Sequence, residues 1–181
     1  MKKTIIGVFL ATIVMFFWGA LYWSSPFPYK VAGRVADDAA VGAVLQEHFP
    51  ESGVYQIPGQ YNDRETIESL MGAGPFATIH ISKEGMKAME PGYMITGLLH
   101  ILVFVSLVTV LLKMTGRSFP TYGGRLLFTF VTGITATFLT ELTNPVWWRH
   151  PLPSYLVTGL YYILTWVLVG SILSAFIRPR H

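Results

Sequence analysis

Four long runs with little or no charge decide most of what this chain can become. The first, Thr4 to Trp23, is "TIIGVFLATIVMFFWGALYW". The second, Tyr93 to Leu112, has His100 inside it. The third, Leu126 to Leu142, is short, rich in threonine and carries Glu141 at its end. The fourth is Tyr155 to Ile177. A hydrocarbon core about 30 Å thick needs about 20 apolar residues of helix to cross it. A buried strand is far shorter, and a soluble core helix would interrupt such a run with charge. Charged residues make up only 13% of the chain and its mean hydropathy is +0.48, whereas soluble domains carry about 25% charged residues. The reading is an α-helical membrane protein with four transmembrane helices.

The flanks orient the runs. With the N-terminus in the cytoplasm, that side receives Lys2, Lys3, Lys113, Arg117, Arg125, Arg178 and Arg180, with no acid among them. The opposite side receives Lys30, Arg34, Arg64, Lys83, Lys87 and Arg149 together with all ten acids, Glu141 being counted at its boundary. Short cytoplasmic segments are enriched in lysine and arginine, so the expected arrangement is N-in and C-in. Arg125 and Lys113 read as anchors to lipid phosphate at the helix ends. "MKK" resembles the start of a signal peptide, but the first run ends in "WGALYWSSPFPY", with bulky rings where a cleavage site needs small residues. An uncleaved anchor is expected over residues 1–23, an extracytoplasmic segment over 24–92, a three-helix hairpin bundle over 93–177 and a basic tail over 178–181. The loop "KMTGRSFPTYGGR" is short, so the second and third spans are expected to be antiparallel neighbours.

Residues 24–92 predict a small α+β domain. Asp37 or Asp38 caps a helix whose Val41, Val44 and Leu45 share a face. "SGVYQIPG" and "FATIHISK" alternate as strands, and Asp63 caps a helix between them. A two-stranded sheet with one or two helices is marginal alone, so this domain is expected to rest on the membrane surface or on a partner.

"FFWGALYW", "ESGVYQIPG" and "NPVWWRHPLPSYLVTGLYYILTWVLVGSILSA" resemble segments of small four-span bacterial inner-membrane proteins of unassigned function. The resemblance implies a bacterial inner (plasma) membrane location and supplies no catalytic residue.

The polar residues of the spans are the candidate site. His100, Glu141, Arg149 and His150 all map to the outer half of the membrane or its edge. An intramembrane ionisable group is a functional candidate by default. A histidine bonded to a neighbouring helix, and a helix-end carboxylate at headgroup level, are the plainer readings. Arg149 is close enough in sequence to swing back onto Glu141, with Asn144 and Pro145 ending the helix between them. Tyr22, Trp23, Tyr93, Trp147 and Trp148 read as an interfacial aromatic belt. Gly7, Ala11, Thr129, Gly133, Ala136, Thr140, Gly170 and Ser174 read as small residues that let helices approach.

The chain has no cysteine, which excludes disulfides and thiolate chemistry. No hydrolase elbow, phosphate loop or zinc-protease pattern occurs. The basic residues are too few and too near the bilayer for nucleic acid. These features favour an accessory, structural or assembly subunit of a larger inner-membrane complex, with other integral membrane subunits and lipid as partners. The expectation includes no cofactor of its own, and contact with lipid, quinone, haem or pigment if the complex carries electron-transfer cofactors. The alternative is a small transporter or membrane enzyme using an outer-leaflet pocket around His100 and Glu141.

Overall fold

The computed structural model describes residues 2–87 and 89–177. The basic tail and its Arg178 and Arg180 lie outside the described residues. The elements in chain order are α1 (Lys2–Ser24), a 3-10 turn (Pro28–Val31), α2 (Asp38–His48), β1 (Gly53–Ile57), α3 (Arg64–Ala73), β2 (Ala77–Ile81), α4 (Pro91–Met114), α5 (Tyr122–Glu141), α6 (Thr143–Trp148) and α7 (Leu152–Phe176). The chain divides into two compact units, Met1–Ala32 with Met89–His181, and Gly33–Ala88.

The first unit contains four helices long and apolar enough to cross a membrane, with α5 and α6 counted as one span. The helix ends have local causes. Thr121 accepts the Gly124 amide at 3.0 Å and starts α5 before the apolar run begins. Prolines 91 and 153 sit in the first turns of α4 and α7, where their missing amide protons cost nothing. The sequence predicts that Asn144 and Pro145 end the third span, yet "TNPVWW" forms α6 after a break at Leu142. Pro145 falls in the first turn of α6 and is tolerated there. The last carbonyls of α5 are satisfied across the break: Thr143 Oγ1 donates to Leu139 O, and Asn144 Nδ2 donates to Thr140 O at 3.1 Å.

Helix α7 is the centre of this unit, packing against α5 on one side and α1 on the other, while α4 packs on α1. The expected pairing of the second and third spans is not found: α4 and α5 touch only marginally. A seven-residue connection between Met114 and Tyr122 fixes that two helix ends are close, but side-chain fit decides which faces meet. The α1 anchor contributes Ala11 and Met15 to the core, with Val105, Val108 and Leu112 of α4 and Val169 and Leu173 of α7.

The α5–α7 seam is antiparallel and built on small residues every fourth position. Gly133 faces Trp166, Gly170 faces Thr129, and Gly159 faces Thr137. A Cβ on Gly133 would collide with the Trp166 ring, and one on Gly170 with the Thr129 side chain. The α1–α7 seam is also antiparallel: Gly7 lies so close to Phe176 that a Cβ would come within 2.6 Å, and Tyr22 OH donates to Val157 O at 2.7 Å. Ser174 is buried as well, whereas Ala136 is half-buried and Thr140 is exposed. Thr137 occupies the seam where the sequence suggested Thr140, because a strict four-residue step from Thr129 and Gly133 reaches 137.

These seams sort the helix ends. The start of α1, the loop between α4 and α5 and the end of α7 share one end, which carries Lys2, Lys3, Lys113, Arg117 and Arg125. The other end gathers the close of α1, the start of α4, Glu141, α6 and the start of α7.

The Gly33–Ala88 unit has β1 and β2 antiparallel, with Val54 opposite His80, Tyr55 opposite Ile79 and Gln56 opposite Thr78. The alternation puts Tyr55, Ile57, Ile79 and Ile81 on one face. Asp37 caps α2 by accepting the Ala39 and Ala40 amides at 2.9 and 3.0 Å. Asp63 caps α3 through the Thr66 amide and hydroxyl, at 2.9 and 2.7 Å. Those two bonds hold the Asp63 carboxyl below the usual carboxylate range. Lys83 joins the pieces: its Nζ donates to Gln46 O and Pro50 O, and its amide to Ser52 Oγ. Phe49 is buried edge-on against Tyr55, but every residue of α2 and α3 is at least partly exposed.

Candidate functional site

Two polar places in the bundle need explanation, one at each end of the α5–α7 seam. At the basic end, Arg125 is only 7% exposed. Its guanidinium donates to Pro120 O at 2.7 Å, Ser174 O at 2.9 Å and Phe119 O at 3.4 Å. The sequence reading of Arg125 as a phosphate anchor is therefore corrected: it is a buried clamp. Ser174 belongs to the last turn of α7, whose carbonyls lack helical partners and form the negative end of its dipole. Arginine matches that site because its planar fork spreads several donors over several acceptors.

At the other end, a groove of about 290 Å³ opens between α5 and α7. Ile134, Phe138, Leu156, Leu160 and Ile163 make it apolar, and Glu141 and Tyr155 stand among its lining residues. Tyr155 OH lies 2.6 Å from His150 Nδ1, and the two rings stack with centroids 5.6 Å apart. Glu141 is half-buried, and among the described residues no ion pair reaches it. Its position opposes its own helix, because a carboxylate at the C-terminal end of α5 meets the negative end of the dipole. Thr137 also lines the groove. The other α5 threonines donate back to their own helix, as Thr132 does to Phe128 O and Thr135 to Val131 O. The Thr137 hydroxyl is buried with no partner among the described residues.

The predicted outer-leaflet cluster is thus split. Glu141 is at the groove, and His150 is tied to it through Tyr155. His100 is exposed on α4, a helix that packs chiefly on α1, and it does not line the groove. Arg149 is exposed in a left-handed backbone conformation, φ 53°, and does not fold back onto Glu141. No group of three metal-ligating side chains occurs among the described residues. Tyr155 and Thr137 were not singled out in the sequence, and Arg125 was singled out there for a different role. For Arg125 a signal existed: a cation in the first turn of a helix opposes the dipole and calls for a partner.

Of the aromatic residues, Trp147 is 76% exposed and Tyr93 64%, with Trp23 and Trp148 less so. Tyr22 departs from the belt reading. It is buried between α1 and α7, against Trp18 and Tyr161, because its hydroxyl finds a carbonyl on the neighbouring helix.

No protein-family model, no curated protein and no solved structure matches this chain, so the chemistry of the two ends is read from the side chains themselves.

Proposed function

We propose that this chain is a multi-pass accessory or assembly subunit of a larger complex in a bacterial inner membrane, with its basic end in the cytoplasm and residues 24–92 on the other side. The observation that carries the reading is the unfinished state of the Gly33–Ala88 unit. Val44, Val54 and Met71 are each more than half exposed there, at 52%, 64% and 51%. A unit in water that leaves such side chains uncovered gains stability by burying them against something else.

Helix α4 supports the same reading from within the membrane. Its buried residues are Val105, Val108, Thr109 and Leu112, all in its second half. Its first half, around His100, is largely exposed, and a Cβ on Gly97 would meet open space. Histidine facing lipid is costly, and a neighbouring helix offers it a hydrogen-bond partner. The charge sorting of the ends supports the orientation. If the complex carries an electron-transfer cofactor, the exposed rings of Trp147 and Trp148 are the surface this chain offers it.

The test is photo-crosslinking in native membranes. A photoreactive residue is placed at Val44, Leu70 or His100 in separate full-length chains. The expected result is a discrete adduct with the same protein or set of proteins from all three positions. Lipid adducts alone from His100, none from Val44 and Leu70, and a lone chain in mild detergent would overturn the proposal.

A further inference from the structure

The groove between α5 and α7 asks for an occupant of defined chemistry. It lies within the spanning part of the molecule, so its apolar lining is open to molecules already in the bilayer. Its polar groups sit at one end, where the spans close and the exposed Trp147 and Trp148 follow. Tryptophan favours the level of lipid headgroups. Glu141 therefore presents a carboxylate with no ion-pair partner among the described residues, near headgroup depth and against the unfavourable end of its own helix dipole. A cation placed there answers both features. Below it, Thr137 supplies a buried hydroxyl with no partner among the described residues. It lies four residues deeper, about 6 Å along the helix axis.

We propose that the groove holds one phospholipid bearing a primary ammonium head. The ammonium donates to the Glu141 carboxylate, an ester carbonyl accepts from the Thr137 hydroxyl one helical turn deeper, and an acyl chain runs over Ile134, Phe138 and Leu160. Threonine has two helix-compatible χ1 rotamers, and in the proposed bound state the Thr137 hydroxyl takes the one that faces the groove. A primary ammonium has three donors, whereas a quaternary choline head has none and a glycerol head leaves the lipid anionic. The site therefore ranks phosphatidylethanolamine above phosphatidylcholine, and both above phosphatidylglycerol. This inference concerns α5 and α7, and it stands whether or not α4 and the Gly33–Ala88 unit meet a partner.

The experiment places the full-length protein in nanodiscs made from equal parts of the three lipids. Native mass spectrometry after mild detergent washing then counts the lipids each chain retains. The expected result is retained phosphatidylethanolamine at about fivefold excess over phosphatidylcholine, the size expected of a modest ion pair near the surface, and at a larger excess over phosphatidylglycerol. Glu141→Gln removes that preference while lipid is still retained. Leu156→Trp fills the groove from its exposed side and lowers retention of all three lipids. Equal retention in the parent protein, a preference for phosphatidylglycerol, or a preference that survives Glu141→Gln overturns the proposal. So does a co-purifying protein segment in the groove in place of lipid. If Glu141→Gln fails to fold, the ranking in the parent protein and the Leu156→Trp result decide the question.

Discussion

Along the seams of the bundle, small residues of one helix are met by bulkier groups of the next, as Gly133 is by Trp166 and Gly7 by Phe176. In the Gly33–Ala88 unit the helices are well capped and the strands well paired, yet α2 and α3 bury no residue fully. The two regions spend their apolar side chains differently. Lipid tolerates exposed leucine and valine, so the bundle gains its specificity from close packing rather than from hiding apolar area. Water does not tolerate them, and the apolar side chains exposed on the smaller unit are what the proposed partner would cover. Local signals such as Asp37 and Asp63 suffice to form elements, but not to supply a core.

The largest effect expected from breaking this contrast lies in the α5–α7 seam. Gly133→Leu places a side chain where the Trp166 ring stands. Overpacking of this kind costs about 3 kcal/mol when neighbours cannot yield, and a ring between two helices has little room to do so. Thermal unfolding of the full chain in detergent, followed by tryptophan fluorescence, should show a large loss of stability. A variant as stable as the parent would mean that the seam is not packed by shape.

Arg125→Met should have the next largest effect. It keeps an unbranched side chain but leaves Pro120 O and Ser174 O without their donor. Bonds to a charged group contribute about 2 kcal/mol each, part of which is offset because the charge no longer has to be buried. The expected loss is about 2 kcal/mol in the same assay. Arg125→Lys should recover only part of it, because a lysine is a single compact donor centre and cannot replace the fork. Full recovery by lysine would show that charge alone, and not the clamp, matters at this end.

How far the sequence reveals this architecture depends on the kind of force involved. The spans were legible because a bilayer demands unbroken apolar length, and α1, α4, α5 and α7 each cover an expected run. Gly7, Ala11, Gly133 and Gly170 could be read as packing positions because small side chains let helices approach closely. The order of the helices was not legible. A span that is apolar all round has no hydrophobic face to read, so nothing in "GLLHILVFVSLVTVLL" says that it packs on α1 rather than α5. The same uniformity hid the groove, and it made His100 and Glu141 look like neighbours when only their depths were alike. Tyr155 was invisible as a site residue because its role depends on His150 and on a groove made by two helices.

In the Gly33–Ala88 unit the expected effects are local. Asp63 has its folded pKa lowered by the Thr66 amide and hydroxyl. Its contribution is therefore complete above the ordinary value of 3.8 and is lost as pH falls through the lower folded value. Hydrogen exchange at the start of α3, in the full chain, should accelerate below that pH. Asp63→Asn, which still caps a helix but does not titrate, should flatten the dependence. An unchanged pH response in Asp63→Asn would assign the effect to another group.

The smallest expected effect is the one that separates the two regions most clearly. Val44→Ser and Leu70→Ser remove apolar side chains that are 52% and 46% exposed. In a domain with its own core, a large-to-small change at a leucine costs several kcal/mol. Here the cost in the isolated full-length chain should stay within about 0.5 kcal/mol, as for a surface site. The same pair should matter only when the chain is extracted with the partners proposed above: there it should lower the yield of that complex while the free chain remains as stable as before. A loss of several kcal/mol in the free chain would show that the unit completes a core by itself. The contrast with the bundle would then be one of degree, because both regions would bury what they need within this single polypeptide.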